Sequence, residues 1–302
     1  MIVVIAFAAN ILVALAKSAA ALLIGSASLV AEAAHSWADG GNEIFLLIAD
    51  RRSVKNKDAG HPLGFGREAY VWSLLAAVGV FTVGAVISVM HGVQSLFDPD
   101  PVTDFGIAYV VLGLSGVLEG GSLLMSVLKA RRTASSYGRE PIDYVLRGSD
   151  PTLRAVIAED SAALLGLFIA FCGIFAHQVT GDPAFDAIGS ILIGILLAVV
   201  AIGLINQNRR YLVGFTPPER LVARSGEFLL ARPEIARVTY LHLEFVGPGR
   251  LLLVAAVDLV GNDSEERIAP RIRDLERLIE QNELFEQAVL TLSVDDEPSL
   301  SF

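Results

Sequence analysis

The chain has a single cysteine among its 302 residues, Cys172, and it falls inside an apolar stretch, so no intrachain disulfide is available to brace a small domain. Charge is absent from residues 69–90 (AYVWSLLAAVGVFTVGAVISVM) and 187–205 (AIGSILIGILLAVVAIGLI). Each run is long enough to cross a hydrocarbon core of about 30 Å, which excludes an ordinary soluble domain. Lys and Arg are missing from three short segments, near 25–28, 97–104 and 178–186, whose only charges are Asp98, Asp100, Asp104, Asp182 and Asp186. No HExxH motif and no Ser/Lys or Ser/His arrangement is present, which argues against an intramembrane hydrolase. The glycines of HPLGFGRE are followed by no Lys-Ser/Thr, which argues against a phosphate-binding loop.

What is present is hydrophobicity at membrane-spanning length. The composition is 53% hydrophobic, the mean hydropathy is +0.57, and apolar segments recur. Besides the two charge-free runs, residues 2–24 make a span interrupted by Lys17, 106–129 one broken by Glu119, and 155–177 one opened by Glu159 and Asp160. Residues 29–49 (LVAEAAHSWADGGNEIFLLIA) hold Glu32, His35, Asp39 and Glu43, yet without a helix there a long polar excursion would separate the first and third spans. The expectation is therefore six transmembrane helices.

Basic residues set the orientation. Arg51, Arg52, Lys55, Lys57 and Arg67 lie between spans two and three, Arg131, Arg132, Arg139 and Arg147 between four and five, and Arg209 and Arg210 after six. Both termini are expected in the cytoplasm, in a multi-pass cell (inner) membrane protein. The first apolar stretch lacks a basic n-region and is too long for a typical signal peptide, so it reads as a retained span. Tyr70 and Trp72 suit an aromatic belt at the interface.

The domain division expected is 1–213 for the membrane part and 214–302 for a cytoplasmic α+β domain. Residues 217–302 hold sixteen acids against nine Arg and no Lys, a net charge of about −7. That acidity argues against nucleic acid as a partner. The pattern predicts a helix from PPERLVARSGEFLLA, a strand from RVTYLHLEFV, a turn at 247–249, a strand from LLLVAAVDLV, a helix over 264–283 and a strand at 288–294. On the second helix Ile268, Ile272, Leu275 and Ile279 form one stripe.

Ionisable groups inside a membrane face a protein interior or a water-filled cavity. His35 and Asp39, four apart, share one face of a helix. Imidazole nitrogen with carboxylate oxygen suits zinc, cobalt, iron(II), nickel or manganese and suits calcium poorly, although a proton relay or a polar helix contact uses the same pair. Glu159 and Asp160 supply further carboxylates, and two such helices packed together surround a divalent cation. For Asp160 the competing explanation is a carboxylate near a helix N-terminus, stabilised by the macrodipole. A site that binds metal when deprotonated and protons when empty is the minimum for exchanging one against the other. Lys17 is expected to pair with Glu32 or Glu119 rather than snorkel.

GSASLVAEAAHSWADGGNE, HPLGFGREAYVWSL and AEDSAALLGLF together resemble the cation diffusion facilitator family, in particular members with a Glu-Asp pair in the fifth span. The resemblance covers nearly the whole chain. It implies a homodimeric exporter of zinc or a related divalent cation, driven by protons as coupling ion, with alternating access, no prosthetic group, no enzymatic activity and a ferredoxin-like C-terminal domain. His35 and Asp39 match the family's second-span ligands. In the fifth span, where the family places His and Asp four apart, Asp160 takes either the later place, with Val156 at the earlier, or the earlier place, with Leu164 at the later. His35, Asp39 and Asp160 remain as metal ligands, with Glu159 or water completing the shell, and the lost imidazole moves the site toward manganese or iron(II).

Accessory sites of the family are incomplete here. Asp58 and His61 match ligands of a second site in the loop, but Phe65 stands where another histidine would be, and His61 before Pro62 also serves to shape a turn. His242 matches a bridging-metal position, while the later strand offers Val257 and the tail offers Asp295, Asp296 and Glu297. Arg67 matches a residue bridged in some members to an acid near the end of the sixth span, where this chain has Gly214, so that bridge is not expected. A non-transporting membrane metal sensor or scaffold of the same fold is the alternative function.

Overall fold

The structure is a computed structural model that describes residues 2–99, 104–136 and 140–302. Asp100 and Arg139, expected in loops, lie outside the described residues. The helices are α1 (Ile2–Ile24), α2 (Ala27–Ser53), α3 (Glu68–Gly79), a π-helix (Val80–Val86), α4 (Ile87–Phe97), α5 (Phe105–Ser136), α6 (Pro141–Arg147), α7 (Pro151–Thr180) and α8 (Ala184–Val213). Then follow α9 (Glu219–Leu230), β1 (Ile235–Gly247), β2 (Arg250–Leu259), α10 (Glu265–Glu280) and β3 (Phe285–Leu292). Among the described residues, four helical stretches are long and apolar enough to cross a membrane: α3 through α4, α5, α7 and α8. In α1 the apolar stretch described is Asn10–Ile24, and α2 carries the four ionisable residues read from the sequence.

The chain divides into two units, Met1–Asp50 with Val71–Arg209, and Arg51–Tyr70 with Arg210–Phe302. In the first, local signals punctuate the helices. Gly25, at φ 76°, separates α1 from α2. The Asp150 carboxylate accepts from Leu153 N at 3.0 Å, and Pro151 occupies the first helical turn, so α7 starts there. Left-handed Gly181 ends it, donating to the His177 carbonyl at 2.8 Å. The core is built largely from small residues, among them Ala31, Ala38, Ala85, Ala162 and Ala170, with Leu29, Leu167, Ile174, Ile193 and Leu197 filling between them. Helices in lipid gain no hydrophobic drive from meeting each other, so close approach over small side chains is what holds them. At Gly194 of α8 a Cβ would sit 2.9 Å from the Ala85 carbonyl oxygen and 2.6 Å from a Val89 methyl. The π-helix lies in this part of the span formed by α3 and α4, and wider turns of this kind are frequent near functional sites.

In the second unit the sheet order is β1-β2-β3, with β1 antiparallel to β2 and β2 parallel to β3. The elements expected from pattern are all present, and the Pro248–Gly249 turn works because Gly249 takes φ 70°. A ferredoxin-like split βαβ unit places another strand between its two parallel strands; here β2 and β3 hydrogen-bond directly. Leu275 and Ile279 of the expected stripe are buried, and Ile268 and Ile272 pack against the same core. Edge strand β3 is protected by carboxylates of α10: Glu276 accepts from Leu290 N at 2.9 Å and Glu280 from Ala288 N at 3.0 Å.

Residues 51–70 belong to this second unit. Gly66 and Gly247 meet backbone to backbone, so closely that a Cβ on Gly66 would lie 2.6 Å from the Val246 carbonyl oxygen. Those glycines serve packing. Tyr70 is fully buried and stacks on Tyr211 with ring centroids 4.8 Å apart, which corrects the expectation of an interfacial belt residue. Trp72 instead stacks on Phe45 at 6.0 Å in the first unit. Arg67 is ion-paired with Glu244 of β1, an acid that sequence position alone did not suggest.

Candidate metal centre

Three residues of α2 share one stripe: His35, Asp39 and Asn42. The start of that helix is fixed by Asp186 of α8, whose carboxylate accepts from Ala27 N at 2.6 Å, Ser28 N at 3.3 Å and Ser26 Oγ at 3.0 Å. A buried carboxylate here satisfies the orphan N–H groups and complements the positive end of the helix. Sequence reading placed Asp186 merely in an acidic loop. Small residues Ala31, Ala34 and Ala38 then let neighbouring helices close around the polar stripe.

His35 is fully buried, and neither ring nitrogen has a hydrogen-bond partner. Its Nε2 lies 3.5 Å from Asp39 Oδ2. A metal-ligating imidazole needs a free lone pair, and an unpartnered one has it. Asp39 keeps Oδ1 buried and unpartnered as well. From α7, Glu159 accepts a hydrogen bond from Asn42 Nδ2, and Asp160 Oδ2 accepts from Ser122 Oγ of α5 at 2.8 Å. Asp39 is close enough for its charge to act on both Glu159 and Asp160. The fold thus brings His35, Asp39, Glu159 and Asp160 into one region of the first unit. Among the described residues no three His, Cys, Asp or Glu side chains converge as a closed metal cage; His35 and Asp39 stand as a pair, while Glu159 and Asp160 each accept from a residue of another helix.

Asp160 lies more than two turns inside α7, which begins at Pro151, so the macrodipole explanation does not reach it. Val156 packs beside the Leu46 and Leu204 cluster and Leu164 against the main core, so neither register gives a second α7 donor four residues from Asp160. Asn42 and Ser122 were missed by sequence reading. A polar residue three positions past Asp39 on the same face was the available signal for Asn42.

Lys17 is fully buried and pairs with both expected acids, Glu32 at 2.9 Å and Glu119 at 2.7 Å. The three groups come from α1, α2 and α5 and offset one another's burial cost.

Asp58 and His61 lie in the second unit, exposed, with His61 Nδ1 2.9 Å from Asp58 Oδ1. The same oxygen accepts from Gly60 N at 2.9 Å and His61 N at 2.7 Å, and Phe65 packs on the imidazole at 3.9 Å between centroids. This is the geometry of a side-chain-stabilised turn. The His61 side chain holds the Asp58 carboxyl below its ordinary range. His242 is half-exposed on β1, 3.9 Å from Glu244; Val254 pairs with it across the ladder, while Val257 faces Val238. Glu297 accepts from Thr239 Oγ1 at 2.8 Å and Val294 N at 3.1 Å, fastening the tail.

A family profile described as the cation efflux transmembrane domain matches residues 3–213. The chain is 38% identical over 233 residues to metal tolerance protein C4 of Arabidopsis thaliana, covering 77% of this chain and 51% of that protein. It is 35% identical over 260 residues to the human proton-coupled zinc antiporter SLC30A9, mitochondrial, covering 86% of this chain and 46% of that one. Zinc transporter ZitB of Pectobacterium atrosepticum is 24% identical over 236 residues, covering 78% of this chain and 68% of that one. The chain spans about half the length of the first two relatives.

Proposed function

Because the chain belongs to the cation diffusion facilitator family, whose members are transporters, we propose that it exports a divalent transition-metal ion, zinc foremost, by exchanging it for protons. The observation that carries this reading is the buried, hydrogen-bond-free His35 beside Asp39, with the α7 carboxylates within electrostatic reach. His35, Asp39 and Asp160 capture the ion from the cytoplasm, and Glu159 or water completes the shell. Rocking of the helices then turns the site outward. Protons compete there for the same lone pairs and release the metal, so binding weakens on acidification. The relatives named as zinc transporters support zinc. The carboxylate donors beside the single imidazole keep manganese, iron(II) and cobalt as further cargo.

In this reading α1 and α2 complete six spans. The protein works as a homodimer in the inner membrane, with both termini cytoplasmic and the second unit on that side. The Asp58–His61 pair serves the turn.

The test is flux in sealed proteoliposomes under a pH gradient, with zinc, cobalt, manganese and iron(II) in parallel and a pH dye inside. Zinc movement against opposite proton movement, lost in Asp160→Ala, is the expected result. Metal bound without flux for any ion would instead favour the sensor or scaffold.

A further inference from the structure

We propose that Lys17 determines metal selectivity: a cation tethered to the chain, it claims Glu32 and Glu119 and so keeps two carboxylates out of the shell that His35, Asp39 and Asp160 offer. The inference rests on the metal site proposed above.

The ammonium is fully buried with a carboxylate on either side, at 2.9 and 2.7 Å. It has three donors and no acceptor, so it fills the role of a small cation between two anionic groups. Each carboxylate nevertheless keeps one buried oxygen without a hydrogen-bond partner, Glu32 Oε1 and Glu119 Oε2. Those two oxygens are the ones the ammonium leaves unused. Glu32 precedes His35 by three positions on α2, which puts both on one helix face. Its free oxygen lies against α7, where a Cβ on Gly166 would be only 2.5 Å away. Glu119 acts electrostatically on His35, Asp39 and Asp160 alike.

With Lys17 in place, the Lys17–Glu32–Glu119 group carries a net charge of −1 when ionised; without it, two uncompensated carboxylates stand within electrostatic reach of His35. Zinc is satisfied by four ligands of mixed nitrogen and oxygen character. Manganese and calcium gain more from added carboxylate oxygens and tolerate higher coordination. Freeing Glu32 and Glu119 therefore converts a mixed-donor site into an oxygen-rich one. Lys17 holds the chemistry on the zinc side without touching the metal.

The experiment is equilibrium binding of zinc against manganese and calcium to the full-length protein purified in detergent. Lys17→Met should move the zinc-to-manganese affinity ratio toward manganese, on the order of tenfold, and Lys17→Arg should leave it near the native value. The triple variant Lys17→Met, Glu32→Gln, Glu119→Gln should restore the native ratio, because no charge is left to recruit. A mere brace between helices would lower stability in these variants and leave the ratio alone. Should Lys17→Met not fold, Lys17→Met with Glu32→Gln frees Glu119 alone and should give a smaller shift in the same direction. A folded variant of either kind with an unchanged ratio overturns the proposal, as does failure of the triple variant to restore it. His35→Ala separates the levels. If it binds metal as the native protein does, the site reading and this inference fall together; if it loses binding while Lys17→Met keeps the ratio, only this inference falls.

Discussion

Single carboxylates in this protein do very different work depending on what they accept from. Asp186 serves α2 from another helix, and Asp186→Ala would leave Ala27 N and Ser28 N buried without their acceptor. A loss of about 1–3 kcal/mol is expected, read as a lowered unfolding temperature in detergent. Asp58 is the opposite case, fully exposed and engaged only with its own turn. Its carboxyl is depressed by His61, so its contribution to turn order is fully present above the ordinary carboxylate range. The contribution is lost as pH falls through the lower value of the folded turn. An NMR titration of the Gly60 and His61 amides should show the turn intact at mildly acidic pH and disordered only below that range; loosening already near neutrality would contradict it. His35 and Asp39 were legible as a pair because four-residue spacing is a property of one helix. Asp186 was not, since its partners are some 160 positions away.

At the scale of elements, glycine separates helices that need contact from helices that do not. Gly194 has no room for a methyl group, whereas around Gly203, on the same helix, nothing lies within 4 Å of a built Cβ. Gly194→Ala is therefore expected to cost about 1–3 kcal/mol by overpacking, and Gly203→Ala to be neutral or stabilising by up to about 1 kcal/mol. Thermal unfolding of the two variants side by side checks this, and equal midpoints would refute it. Hydropathy and alternation revealed most elements with small errors at their ends, because a helix stripe or a strand alternation is written in neighbouring residues. The π-helix and the short α6 left no such trace. Direct β2–β3 pairing was also hidden: element order alone admits a strand between them, and only the backbone ladder decides.

For the whole molecule, the decisive fact is that the second unit is assembled from two distant segments. Tyr70 comes from the first and lies in one core with Tyr211, Phe245 and Leu253 from the second. Tyr70→Ala should remove about 3–5 kcal/mol from that unit, lowering hydrogen-exchange protection of the β1 and β2 amides while α7, which lies in the first unit, keeps its own. Unchanged β1–β2 protection would show that the ring carries no such weight. The two-segment construction also sets an order in time. Residues 51–70 are synthesised before 71–209, and the strands that receive them come later still. At roughly 5–20 residues per second, the glycine and tyrosine of that loop wait on the order of ten seconds for partners that the ribosome has not yet made. The intervening helices are synthesised in that interval, so the unit closes only after all of them have been made.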